Sequence, residues 1–294
     1  ATMIEGIGLS EVSEETVLRH AEAFGDVAIL RRSLEVGGEY AYRTRGESHM
    51  WTPDSIATLQ HAVRANLPDM YRMSTVRLDK RIGAPSTVNR LKVRLEGLPE
   101  SLKINDGRQT RTGNVVEIWR KALTDLPKVP LSDEERKKNL EPTAFIDFET
   151  PAIRTLLDKV PAGTPGERVA AMTRLVHRSL RYTLGAAPIS ASEIAQAGRG
   201  DCTEYARVMA AVARADGLPA REVMGMAYTG DTDPGFAFHA WTEVYIDGRW
   251  LAADPTWNQI PPDATHIALS REDPSAIIGV LGGLRAFLVD IETR

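Results

Sequence analysis

At 294 residues, with 43% hydrophobic and 26% charged residues, the chain is long enough to bury an ordinary core and has room for two domains. Its 36 Lys and Arg against 40 Asp and Glu leave a formal net charge of −4, which gives no electrostatic pull toward nucleic acid or an anionic membrane. No run approaches the roughly 20 apolar residues of a membrane span, and the N-terminus lacks the basic-then-apolar layout of a secretory signal. The expectation is a cytoplasmic protein with no nucleic-acid partner. The single cysteine, Cys202, excludes an internal disulfide framework and any multi-cysteine metal site, so it is a core residue or a working thiol.

Residues 11–24 set Val17, Leu18, Ala21 and Phe24 at helical spacing behind Ser13. A loosely alternating stretch follows, with turns at Gly37-Gly38 and Gly46, before Thr52 and Pro53 open a second helix. Residues 1–72 thus read as a small α/β piece with no catalytic cluster. Residues 73–125 hold short β-like runs between Gly, Pro, Asn and Asp, which predicts a small antiparallel sheet. Residues 126–150 are charged and flanked by proline, with a Ser132–Glu135 capping box, and read as a linker.

The region 151–294 opens with a helix from Pro151, followed by a stronger signal. Thr164, Pro165 and Glu167 supply the N-cap, N1 proline and N3 acid of a helix whose Val169, Met172, Leu175, Val176 and Leu180 share a face. His177 within it reads as an ordinary helix histidine, and serine and alanine suggest a loop over 185–197. Cys202 follows a glycine-rich turn and starts a helix ended by Gly217. Unpaired N–H groups and the helix dipole at that position favour a thiolate and can hold an oxyanion. Two strands come next, the second carrying His239, and an Asp247-Gly248 turn leads to a third strand bearing Asp254.

Nucleophilic cysteine chemistry needs an imidazole to take and return a proton, and a third group to hold that imidazole's tautomer. Cys202, His239 and Asp254 supply those residue types in that order. Spacing alone leaves open a buried, inert cysteine and an Asp-Pro that only marks a turn. Asp263, behind a Pro-Pro pair, is expected to lie outside the catalytic set, and Asp231 and Asp233 are weaker as calcium ligands than as a solvated turn.

The blocks GDCTEYARVMAAVARADGLPAREVMG, FHAWTEVYIDGRWLAADPTWNQ and DATHIALS resemble the core of the transglutaminase-like superfamily, in particular its bacterial members, over about 150–290. The resemblance implies an α+β, papain-like fold with the cysteine-bearing helix packed on an antiparallel sheet. It also implies Cys202 as nucleophile, His239 as general acid/base and Asp254 as its orienting acid. In animal relatives a tryptophan upstream of the cysteine donates to the oxyanion, and Tyr182 stands near that place here, with core packing as the other reading. Trp241 and Trp257 flank His239 and Asp254, and each either lines the acyl cleft or fills the sheet's face. Bacterial relatives are often exported, so a periplasmic or extracellular location is the alternative to a cytoplasmic one.

Residues 2–71 resemble a different family, the stretch of bacterial glutamate synthase large subunits ahead of their flavin-binding barrel. That family's nucleophilic cysteine, flavin barrel and iron–sulfur cysteines have no counterpart here, so no such activity is expected. The segment reads as a fused or mis-joined fragment or an interaction appendage. The expected function is a cofactor-free and metal-free cysteine enzyme acting on amide bonds of peptides or proteins, hydrolysis being favoured over amine transfer. The competing reading is a catalytically idle module that binds partners.

Overall fold

The computed structural model describes residues 27–33, 39–44, 47–51, 75–183, 190–271, 280–281 and 283–294. The helices expected over 11–24 and from Thr52, and the turns at Gly37-Gly38 and Gly46, lie outside them. In the N-terminal region β1 (Val27–Ser33), β2 (Glu39–Thr44) and β3 (Glu47–Trp51) form an antiparallel sheet in that order.

The next strands are β4 (Val76–Arg77), β5 (Val88–Glu96), β6 (Gln109–Thr112) and β7 (Val115–Trp119). Leu91, Val93 and Leu95 alternate with half-buried Lys92 and Arg94 along β5, the period of a strand with one dry face. Helix α1 (Asp133–Leu140) has the expected Ser132–Glu135 capping box.

Helices α2 (Pro151–Leu157) and α3 (Pro165–Ser179) both begin with proline behind a threonine cap. Strand β8 (Arg181–Tyr182) leads toward α4 (Ala191–Ala197), then β9 (Arg199–Gly200) and α5 (Cys202–Ala215). Residues 191–197 are therefore helical where a loop was expected. The signal was Ser190 with Glu193, a capping box, closed by Gly198 at φ 61°. Strands β10 (Ala220–Tyr228), β11 (Gly235–Ile246), β12 (Arg249–Ala253) and β13 (Ile267–Ser270) follow, and β14 (Arg285–Thr293) ends the chain. The β11–β12 hairpin turns on Asp247 and Gly248, both at positive φ, as the Asp-Gly pair predicts. Among the described residues, no helix is long and apolar enough to cross a membrane.

The fold is α+β. The central sheet runs β12-β11-β10-β13 with all pairings antiparallel, and β4 also pairs with β11. A second sheet runs β14-β5-β7-β6, so the C-terminal strand completes the sheet begun by residues 88–119. Helix α5 is apolar around most of its circumference because it lies between two cores. Cys202 and Ala206 join Leu91, Val93, Met226 and Phe236 on one side, while Val208, Met209 and Val212 join α2, α3 and α4 on the other. Full burial of each Val or Met there contributes about 1.5–3 kcal/mol. Among the described residues, the helix that carries the thiol is consequently the most enclosed helix.

Candidate active site

Asp201 caps α5, its Oδ1 accepting from Thr203 N–H at 3.0 Å, while Glu204 Oε2 accepts from Asp201 N–H at 2.7 Å. This box fixes Cys202 as the first helical residue. Glycine at 200 is required by the same packing, since a Cβ there would lie 2.3 Å from Glu204 Cβ. Burial, aided by the adjoining Asp201 carboxylate, pushes Glu204 up to about 8. Tyr205 O–H donates to Leu180 O at 2.6 Å, tying α5 to the end of α3. Just beyond, β8 pairs parallel with β9 and sets Tyr182 opposite Gly200.

Cys202, His239, Tyr182, Thr256, Trp257 and Phe238 line one cleft of about 100 Å³. Tyr182 and Trp257 stand at its rim, 53% and 41% exposed, whereas Cys202 and His239 are buried at 7% and 4%. His239 Nε2 lies 3.0 Å from Asp254 Oδ2. The ionised carboxylate accepts there, so the Nε2–H tautomer leaves Nδ1 as the ring nitrogen able to take a proton. Trp257 stacks on the His239 ring at 4.2 Å between centroids and 13° between planes. Trp241 is fully buried and does not line the cleft. It fills the sheet's face beside Val223 and Ala268.

Asp254 lies just past β12, in a 254–259 loop closed by paired backbone bonds between Asp254 and Gln259. Its Oδ1 accepts from Thr256 N–H at 2.7 Å and Trp257 N–H at 3.3 Å. From α3, His177 Nδ1 reaches Pro255 O at 3.1 Å and Thr256 O at 3.2 Å, so this helix histidine also anchors the loop. Asp254 Oδ2 serves a second imidazole, His266 Nε2, at 3.2 Å. Burial alone would raise the Asp254 pKa, but His239 and then His266 outweigh it and hold the carboxyl well below the usual range.

Asp263, expected outside the catalytic set, makes no contact with Cys202 or His239 but bonds to His266. It is completely buried, its Oδ1 3.2 Å from His266 Nδ1 and accepting from Thr265 N–H and O–H. Its Oδ2 accepts from Gln259 Nε2 at 2.9 Å. Burial opposes its ionisation, but His266, Thr265 and Gln259 bring it down to about 2. His239, Asp254, His266 and Asp263 thus form one buried chain. The first three offer atoms within 4.8 Å of one another, a spacing compatible with metal chemistry, yet hydrogen bonds within the group occupy each atom. The hydrogen bonds link these side chains into one chain.

Sequence reasoning missed His266 because long-range strand pairing brings it into place. Gly225 on β10 stands opposite His239 on β11 and Ala268 on β13. A Cβ at Gly225 would meet Ile267 O at 2.2 Å and Trp241 Cη2 at 2.8 Å, so only glycine lets Trp241 and β13 close over that strand. The available signal was the Asp263–His266 spacing in DATH, directly after the Asp254 loop. Asp231, weighed as a calcium ligand, instead accepts from Tyr228 O–H at 2.6 Å and Gly83 N–H at 3.1 Å.

The structure also corrects the expected thiolate. Burial pushes the Cys202 thiol well up, and the Asp201, Glu204 and Asp254 carboxylates add to this, while the Ala240 N–H opposes it. This environment favours the neutral thiol at Cys202. Iodoacetamide should label Cys202 slowly at pH 6 and faster as pH rises past an ordinary thiol's value of about 8.5. Mass spectrometry of the single-cysteine chain reads this directly. Fast labelling at pH 6 would show a preformed thiolate.

Three comparisons bear on this arrangement. Residues 154–255 match the family model described as the transglutaminase-like superfamily. The chain is 37% identical over 84 residues to the glutamate synthase [NADPH] large chain of Bacillus subtilis, covering 28% of this chain and 5% of that protein. It is 33% identical over 137 residues to the protein-glutamine gamma-glutamyltransferase of Pseudomonas aeruginosa, covering 41% of this chain and 20% of that protein. It spans only a small part of either relative's length. Among solved structures, it is similar to the periplasmic domain of TgpA from Pseudomonas aeruginosa bound to ethylmercury. The TM-score is 0.39 and the identity 22%, over 65% of this chain and 94% of that one.

Proposed function

From a transglutaminase-like superfamily domain at residues 154–255, we propose a cysteine enzyme that opens amide bonds of peptides or proteins through Cys202, His239 and Asp254. The observation that carries the reading is that Cys202 and His239 line one cleft while His239 Nε2 lies 3.0 Å from Asp254 Oδ2. In the first half-reaction His239 Nδ1 takes the Cys202 proton as Sγ bonds to the carbonyl carbon. The C–N bond then breaks, the amine leaves with that proton, and a thioester remains. Water attacks the thioester, gives its proton to His239 and yields a carboxylic acid, and His239 returns the proton to sulfur.

Backbone N–H groups at the start of α5 and the Tyr182 hydroxyl at the rim are the proposed oxyanion donors. Trp257 forms a wall for the acyl group. Water is favoured over an amine as the acceptor because the exposed rim at Tyr182 and Trp257 leaves the thioester open to solvent. The Pseudomonas relative's name points to amine transfer as the second outcome of the same thioester. Burial of Cys202, which disfavours a thiolate, is the observation that favours an idle binding module instead.

One experiment separates these readings. The protein and its Cys202→Ala variant are incubated with dimethylated casein, with and without dansylcadaverine. Ammonia or new peptide N-termini, formed without incorporated dansyl and only with Cys202, are the expected products. Predominant dansyl incorporation would make the enzyme a transferase. If the parent and Cys202→Ala give equal signals in every channel, the enzyme reading fails.

A further inference from the structure

We propose that His266 is a positioning residue for the proposed triad, a second imidazole that fixes Asp254 and shares its charge with His239. The inference rests on that triad reading but concerns residues outside it. Asp254 Oδ2 is 3.0 Å from His239 Nε2 and 3.2 Å from His266 Nε2, so one carboxylate oxygen faces two rings. His266 Nδ1 lies 3.2 Å from Asp263 Oδ1. A neutral imidazole has one donor and one acceptor nitrogen, whereas both nitrogens of His266 face carboxylate oxygens, the demand of an imidazolium. Burial disfavours that charge, but the bonds to Asp254 and Asp263 outweigh it and raise the pKa.

This cation has a consequence for the nucleophile. Asp254 divides its negative charge between two rings. Without the second ring, more of that negative charge would face the Cys202–His239 side of the cleft. Among the described residues, Arg108 and Arg120 bear on Asp263. Arg108 donates to Pro262 O and Asp263 O at 3.1 and 3.0 Å, holding the loop that carries Asp263. Asp106, Glu243 and Arg271 form a separate ion-pair group beside Arg108, and Asp201 and Glu204 lie on the thiol side. Residues before the matched domain also set this loop's position, since Gln109 pairs through its side chain with both Ala268 N–H and Ala268 O.

The direct test compares the pH dependence of Cys202 alkylation by iodoacetamide in the parent, His266→Gln, Asp263→Asn and His239→Ala, with thermal melts to establish folding. His266→Gln keeps an amide donor for Asp254 and removes the cation, so Asp254 then acts on His239 alone. Labelling at pH 6 should rise several-fold, while casein turnover falls by about 10- to 100-fold, the range for losing a residue that orients a reacting ligand. Asp263→Asn should move both readouts the same way by less. A merely structural histidine would not speed labelling at acid pH. Parent-like pH curves in the folded His266→Gln and Asp263→Asn proteins would overturn the proposal.

A second measurement needs no variant. Nitrogen NMR of the histidine-labelled parent at pH 7.5, a pH at which an ordinary histidine is mostly neutral, should show one imidazole protonated at both nitrogens. Absence of that signal also overturns the proposal. The two readings fail separately: a parent-like labelling curve and turnover in His239→Ala would remove the triad, whereas unchanged His266 variants beside an inactive His239→Ala would remove only the role of His266.

Discussion

His239→Ala should lower turnover on an amide substrate by about 10⁴- to 10⁶-fold, the range reported for loss of the histidine from catalytic triads. Two features of the site push the loss toward the upper end. Burial, with the Asp201 carboxylate beside it, favours Cys202 as a thiol, so without a base the nucleophile scarcely forms near neutral pH. The leaving amine also loses its proton donor. Residual activity should climb steeply with pH, because direct ionisation of the thiol is then the remaining route. The ring deleted is one that Trp257 stacks on at 4.2 Å, so its removal leaves a planar space at the cleft wall. Added imidazole should partly restore turnover by occupying it, and should do nothing for Cys202→Ala. Near-parent turnover of a folded His239→Ala protein would remove His239 from the chemistry.

The parts of this site that sequence reading reached are those set by local structure. A glycine-rich turn and a capping residue announce Cys202 at a helix start, and the Asp247-Gly248 hairpin announces that the strand bearing His239 and the one leading into Asp254 are neighbours. Thr164–Glu167 and Ser132–Glu135 are likewise legible because a capping box spans only four residues. By that logic Ser190–Glu193 was legible too, and a serine- and alanine-rich composition concealed it. What stayed hidden depends on distant pairing. β14 joins β5 across almost 200 residues of chain, and His266 meets Asp254 only because Gly225 lets β13 close against β10. The thiol's environment was hidden for a related reason. Helix-start chemistry favours a thiolate, but the enclosure of α5 between two cores, which no window of sequence reports, outweighs it.

Asp254→Asn should cost roughly 10⁴-fold in turnover near neutral pH, the loss known for the analogous change in a serine triad. The hydrogen-bond pattern explains why an isosteric amide cannot serve. Oδ2 faces the Nε2 atoms of His239 and His266, while Oδ1 accepts from the Thr256 and Trp257 N–H groups. If the amide nitrogen takes the Oδ1 place, it points N–H groups at two backbone donors. If it takes the Oδ2 place, it favours His239 with its proton on Nδ1, the nitrogen that must accept one from Cys202. The second orientation disables the base, and the first leaves buried donors unpaired. The variant should therefore lose about 1–3 kcal/mol of stability as well, the cost of an unsatisfied buried polar group. Parent protein should show the matching pH behaviour. The Asp254 carboxyl is held well below its unfolded value of about 3.9, so its contribution to stability is complete above that pH and declines as pH falls toward the folded value. Casein turnover together with a thermal melt decides the matter. Parent-like turnover in a stable Asp254→Asn protein, with His239→Ala inactive, would reduce the triad to a Cys202–His239 pair and leave His266 without a role in the reaction.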